Sequence, residues 1–290
     1  MKIKIFCIYH KSAPIWKSDC IEPIQSGAFK HPAISPEILR DNVGDNISHK
    51  NDNYGEMSVW YWVWKNYIPE NPQLDYIGFC HYRRFLNFSP NFLKGTWNKM
   101  YLSKFNKIFN KWYNSKNINS HLTADILVPR SEEFNKTLRE QFNLWHPVDE
   151  WDRFEQIVLN RHPQHAKLIK EVLQGTQCRI CLNFVMKKEL FIDFMEWIFP
   201  LLYELEACSD WSKFRSYNDV RTPAYLAERY FNVWLNIVQH EKDVTICELP
   251  GIFITSKPSI WKRIAKPLLC LLPRRLRIEI RNKWKSELEL

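Results

Sequence analysis

Short apolar runs of strand length alternate along the chain with longer stretches of helical periodicity, and that order predicts an α/β domain on a largely parallel sheet. The runs at 3–9, 75–80, 125–129 and near 178–186 predict strands, with helices filling the intervals. Residues 54–67 are apolar on nearly every side, so a helix there must lie between layers. Asn53 and Glu56, three apart, predict a capping box at its start. From 89 to 115, Trp97, Tyr101, Phe105, Phe109 and Trp112 recur every three or four residues and predict one helical stripe for packing. Helical patterns continue through 132–174, and two longer helices are expected at 187–206 and 219–239, the second with Pro223 in its first turn, where proline is tolerated.

Composition narrows the class. The 290 residues are 45% hydrophobic, enough to bury a full core without disulfides or metals. An aromatic content of 15% with 13 Trp suits a carbohydrate-handling cleft as well as an ordinary core. The eight cysteines, at 7, 20, 80, 178, 181, 208, 247 and 270, lack zinc-ribbon spacing and read as reduced, mostly buried thiols. Lys4 interrupts the N-terminal apolar run and no small-residue cleavage site follows, which predicts a first strand rather than a signal peptide. No uncharged apolar stretch reaches spanning length. A cytoplasmic protein is the expectation.

The net charge of +9 is unevenly spread. Residues 257–290 hold ten Lys or Arg against three Glu, a local +7, which leaves +2 for the preceding 256. Nucleic-acid binders usually carry a basic face on the domain itself, so this distribution argues against nucleic acid. The expected organisation is a domain at 1–256 and a basic, helical amphipathic extension at 257–290, interrupted by Pro267 and Pro273. Its Trp, Leu and Ile interleaved with Lys and Arg suit an anionic membrane surface, and a solvated charged tail is the alternative.

Candidate chemistry gathers in four segments. Leu74 to Phe85 reads as a buried strand ending in a cationic turn, His81-Tyr82-Arg83-Arg84, and strand C-termini of open α/β sheets face the ligand crevice. Guanidinium groups there suit a nucleoside diphosphate, though a core ion pair fits the same spacing. No Asp-x-Asp stands at this strand end, so metal-independent neutralisation is favoured; Asp41 and Asp45 in the polar loop at 41–53 keep Mg or Mn open. His146 and Asp149, between Trp145 and Trp151, are candidate catalytic bases, with a helix start capped by Asp149 as the alternative. Arg221, Tyr225, Glu228 and Arg229 fall within about two helical turns and either close the site or form an ion-pair lattice.

In order, these segments resemble the glycosyltransferases of bacterial capsule, exopolysaccharide and O-antigen gene clusters, a family long catalogued as a domain of unknown function. The resemblance rests on His10-Lys11 after the first strand, Gly44 to Ser48 with Lys50-Asn51, Glu56 with Tyr61 to Asn66, Gly78 to Arg84, Asn183 to Phe191, and Tyr225 to Arg229 after Arg221. It covers roughly residues 1–250. It implies a GT-A-like fold and transfer of a hexose from a UDP-sugar, galactofuranose in some members, to a lipid-linked glycan at the inner face of the plasma membrane. It also implies a donor site at His10, Lys11, Asp45, Asn46, Ser48, Asn51, His81, Arg83 and Arg84, with Arg221, Glu228 and Arg229 alongside. A noncatalytic carbohydrate-binding protein is the remaining alternative.

Overall fold

A computed structural model describes residues 1–90, 93–144, 146–214 and 216–256. The expected extension at 257–290 lies outside the described residues. Strands are β1 (Ile3–Tyr9), β2 (Ile21–Gln25), β3 (Leu39–Arg40), β4 (Tyr76–His81), β5 (Arg84–Leu86), β6 (Trp97–Tyr101), β7 (Ile126–Pro129), β8 (Glu132–Glu133), β9 (Gln177–Cys178), β10 (Phe184–Lys187), β11 (Ile246–Leu249) and β12 (Gly251–Thr255). Helices are α1 (Asn51–Tyr54), α2 (Met57–Trp62), α3 (Ile68–Glu70), α4 (Leu102–Trp112), α5 (Ser115–Asn119), α6 (Leu138–Asn143), α7 (Val148–Arg161), α8 (Ala166–Gln174), α9 (Lys188–Cys208), α10 (Tyr217–Val220) and α11 (Thr222–Lys242).

The main sheet runs β11-β7-β10-β4-β1-β2-β3. Pairing is parallel except where β10 lies antiparallel between β4 and β7. β5, β6 and β12 form a flap that joins the sheet where Arg84 pairs with His81. The α/β fold with a mostly parallel sheet is therefore the one the alternation predicts. β1 and β4 are apolar along almost their whole length because layers cover both faces of the sheet. On one face Phe6, Phe79, Phe184, Phe191 and Phe231 pack with Trp60 of α2 and with α7, α8, α9 and α11. On the other, Trp16, Phe85, Phe105, Phe109 and Tyr113 join the flap and α4 to β1.

Three elements differ from the pattern-based expectation. The buried stretch at 54–67 is not one helix. Gly55, at φ +55°, separates α1 from α2, and a single π-turn at Val63–Tyr67 follows. The capping box is absent with it: Asn53 lies inside α1 and donates to the Val220 carbonyl at 3.1 Å, while Glu56 precedes α2 without a side-chain cap. The aromatic stripe divides between β6, which holds Trp97 and Tyr101, and α4, because β12 pairs with the first part as a strand. The strand near 178–186 is also two. β9 pairs with β8, Cys181 turns the chain at φ +64°, and β10 enters the main sheet.

Candidate functional site

β1 and β4 end side by side, which brings His10 and His81 together. His81 is buried, and its Nδ1 accepts the Arg83 backbone N–H at 3.2 Å. Its Nε2 therefore carries the proton and faces His10 Nδ1 at 3.4 Å. Burial first, then Lys11 and Arg83, pushes the His10 imidazole down to about 4, so it is neutral at physiological pH with Nε2–H as its donor. His81 is held lower than usual by burial and then by Arg84.

A cavity of about 670 Å³ opens beside this pair, a volume suited to a small ligand or cofactor. Arg83 and Arg84 enter from the turn after β4, Asn51 and Glu56 from either side of Gly55, Arg221 and Glu228 from α11 and its approach, and Cys181 from the turn before β10. Arg84 has a buried Nε without a hydrogen-bond partner among the described residues, and it lies over Phe253 at 5.7 Å. Burial alone would lower its pKa. Cys181, Glu56 and Glu228 outweigh that and raise it, so the charge is fixed. Arg221 donates to the Tyr217 hydroxyl at 2.6 Å, and Arg229 donates to Glu228 at 2.7 Å and to Gln141 at 2.5 Å.

Four arginines thus line the cavity against three carboxylates, two of which are engaged: Asp52 with Lys30 and Glu228 with Arg229. An anion is the ligand this balance favours. A divalent cation is a poor fit. No group of three or more His, Cys, Asp or Glu placed to hold a metal occurs among the described residues, and the carboxylates at the cavity face cations already, Asp52 the Lys30 ammonium and Glu56 and Glu228 guanidinium groups.

The sequence-derived candidates divide in space. His10, Asn51, His81, Arg83, Arg84, Arg221, Glu228 and Arg229 all line the cavity. Asn51 donates to the Gly55 carbonyl at 2.7 Å and to Ser58 at 3.0 Å, holding the α1–α2 break. Lys11 is exposed beside His10. Ser48 is bonded to the buried Asp41 at 2.5 Å, Asn46 bonds back to Gly44 and Ser48, and Asp45 accepts from Tyr61 at 3.2 Å; these three are not brought to the cavity wall. Asp149 is exposed in the first turn of α7, whose N-cap is Pro147. His146 is buried between the Phe142 and Tyr225 rings, its Nδ1 3.3 Å from the Asn218 carbonyl. Burial first and then Arg229 pushes it down to about 4. Its ring neighbour Tyr225 lines the cavity and His146 does not. Sequence reading gave no site role to Glu56, Cys181, Tyr217 or Gln141, which the cavity wall includes along with Tyr225. Among these four a signal existed only for Glu56, as a member of the family-like blocks.

A family model described as a domain of unknown function, DUF4422, matches residues 4–241. Among solved structures the chain is similar to WbbM, a bifunctional glycosyltransferase in its apo structure, with a TM-score of 0.78 and 28% sequence identity over 88% of this chain. The chain spans 45% of that protein. No curated protein matches. The GT-A-like fold implied by the family resemblance is the fold observed.

Proposed function

Because the chain belongs to the DUF4422 family, and its fold is that of part of a bifunctional glycosyltransferase, we propose that it is itself a glycosyltransferase acting on a nucleoside diphosphate sugar. One observation carries the reading: Arg83, Arg84 and the neutral His10 stand at the C-terminal ends of β4 and β1 and face a cavity that Arg221 also lines. The diphosphate lies against the guanidinium groups, which neutralise the charge that builds on the leaving group as the glycosidic bond to phosphate breaks. Arginine supplies that charge directly, so transfer proceeds in the presence of a chelator. The donor is a UDP-hexose, with galactofuranose the sugar suggested by the family resemblance. The acceptor is a hydroxyl of a lipid-linked glycan in surface polysaccharide synthesis, reached from the inner face of the membrane through the basic segment at 257–290.

Thermal stabilisation by a panel of UDP-, GDP- and dTDP-sugars, followed by transfer assays with and without chelator, tests this. Stabilisation by UDP and its sugars is expected. Arg84→Ala should weaken UDP binding by about 10- to 100-fold, the range for hydrogen bonds to a charged group. Failure of every nucleotide sugar to stabilise the protein would sink the proposal.

A further inference from the structure

We infer that Glu56 is the catalytic base, taking the proton from the acceptor hydroxyl as that oxygen attacks the sugar; this rests on the glycosyltransferase reading above. The other acidic groups at the cavity, and the imidazoles of His10 and His81, are already committed; the third imidazole on the wall is that of His31. Glu228 accepts the Cys181 N–H at 2.7 Å through one oxygen and Arg229 through the other. Asp52 is paired with Lys30. His10 and His81 are bonded to one another and shifted so low that either is a feeble proton acceptor at neutral pH. Glu56 is half-buried on the cavity wall, and its carboxylate has no hydrogen-bond or ion-pair partner among the described residues.

Its backbone explains how it came to be there. Gly55 at φ +55° turns the chain between α1 and α2, and a Cβ at Gly55 would collide with the Arg221 guanidinium. The turn therefore lets the Arg221 guanidinium pack against the backbone of Gly55, one residue before Glu56, whose carboxylate feels its charge. Arg83 and Arg84 face it from the turn after β4, Arg221 and Glu228 from α11 and its approach, Cys80 from β4, and Cys181 from the turn before β10. Burial raises its pKa above the usual carboxylate range, although Arg84 and Arg221 pull the other way. A carboxylate so tuned is better matched to neutral pH than an ordinary surface glutamate.

In the step, the acceptor O–H gives its proton to Glu56 and its oxygen forms a bond to the anomeric carbon. The bond from that carbon to the phosphate oxygen breaks, and the electron pair leaves with the nucleoside diphosphate, whose charge Arg83 and Arg84 face. The proton on Glu56 passes to solvent after product release. Attack from the face opposite the leaving group inverts the anomeric centre.

The test compares wild type, Glu56→Gln and Glu56→Asp for transfer, UDP affinity and thermal midpoint. The expected result is a turnover at least about 100-fold lower in E56Q, within the range for loss of general-base catalysis, with UDP affinity within about 2-fold of wild type. Partial recovery is expected in E56D. The acidic limb of the wild-type pH–rate profile should lie above the ordinary carboxylate range and vanish in E56Q. Turnover in E56Q within about 3-fold of wild type, or a loss of UDP binding as large as the loss of rate, overturns the assignment of the base while leaving the transferase reading intact. Absence of transfer by a folded wild type that also fails to bind UDP refutes the reading on which the assignment stands.

Discussion

Asp41 has no exposed surface, yet its carboxylate accepts from the Gly27 and Ala28 N–H groups at 2.9 Å and from the Ser48 and Ser58 hydroxyls at 2.5 and 2.6 Å. It ties the turn after β2 to the polar loop and to α2. Asp41→Ala strands four buried donors, and a loss of about 3 kcal/mol or more is expected in denaturant unfolding. The same contacts explain a division among the candidate residues. Asp41 and Ser48 look like ligand groups in sequence because short polar side chains in a loop serve either purpose. Only the fold shows that they satisfy each other. Arg83 and Arg84 were legible because a charged pair that ends a fully apolar strand has few places to go. The disposition of Glu56 was not, since Asn53 and Glu56 at a spacing of three mimic a helix cap, and the φ of Gly55 is invisible in a residue string.

The α1–α2 break is the element on which the site depends most. Asn51 bridges it from within, and Arg221 packs against Gly55 from α11's approach. Gly55→Ala forces a side chain into the left-handed region and into the guanidinium. A fall of at least about 10-fold in UDP affinity is expected by calorimetry, on the argument that one charged hydrogen bond is lost, and unchanged affinity would remove Arg221 from the donor site. The far edge of the sheet has a clasp of its own. Asp125 accepts from Lys187 at 2.5 Å and from the Thr245 N–H and hydroxyl at 2.8 and 2.6 Å, linking β7, β10 and β11. Burial opposes its ionisation, but Lys187 and Thr245 prevail and hold it down at about 2. The clasp is therefore complete above the unfolded carboxylate's pKa of about 4 and is lost as pH falls towards 2. Because the pair is near solvent, it contributes about 1 kcal/mol or less. Asp125→Asn should flatten that part of the stability profile between pH 4 and 2, and an identical slope in the variant would contradict it. Element boundaries failed to show in the pattern where tertiary pairing intervened. The spacing of Trp97 and Tyr101 fits a helix until β12 supplies a partner strand.

For the whole molecule, the two packed faces of the sheet were foreseeable from its nearly continuous apolar strands. The cavity was not, since it draws on β1, the turn after β4, α1, α6 and α11, segments up to about 220 residues apart. No helix among the described residues is long and apolar enough to cross a membrane. A chain shortened to 1–256 should keep UDP binding and lose recovery on anionic vesicles, with each lost basic residue worth about 1 kcal/mol near the headgroups. Undiminished vesicle binding would dismiss the basic segment as an anchor. The antiparallel strand β10 has a consequence for synthesis. Among the described residues β7 pairs with β10 and β11 alone, both made later, so about 55 residues must leave the ribosome after β7 before its first sheet partner exists. During that interval β1, β2 and β4 can already pair, while β7, a fully apolar strand, waits with both edges open. The nascent chain is most prone to aggregate in that window, and a chaperone that covers residues 126–129 until Lys187 emerges would protect the yield of folded protein without touching the finished fold.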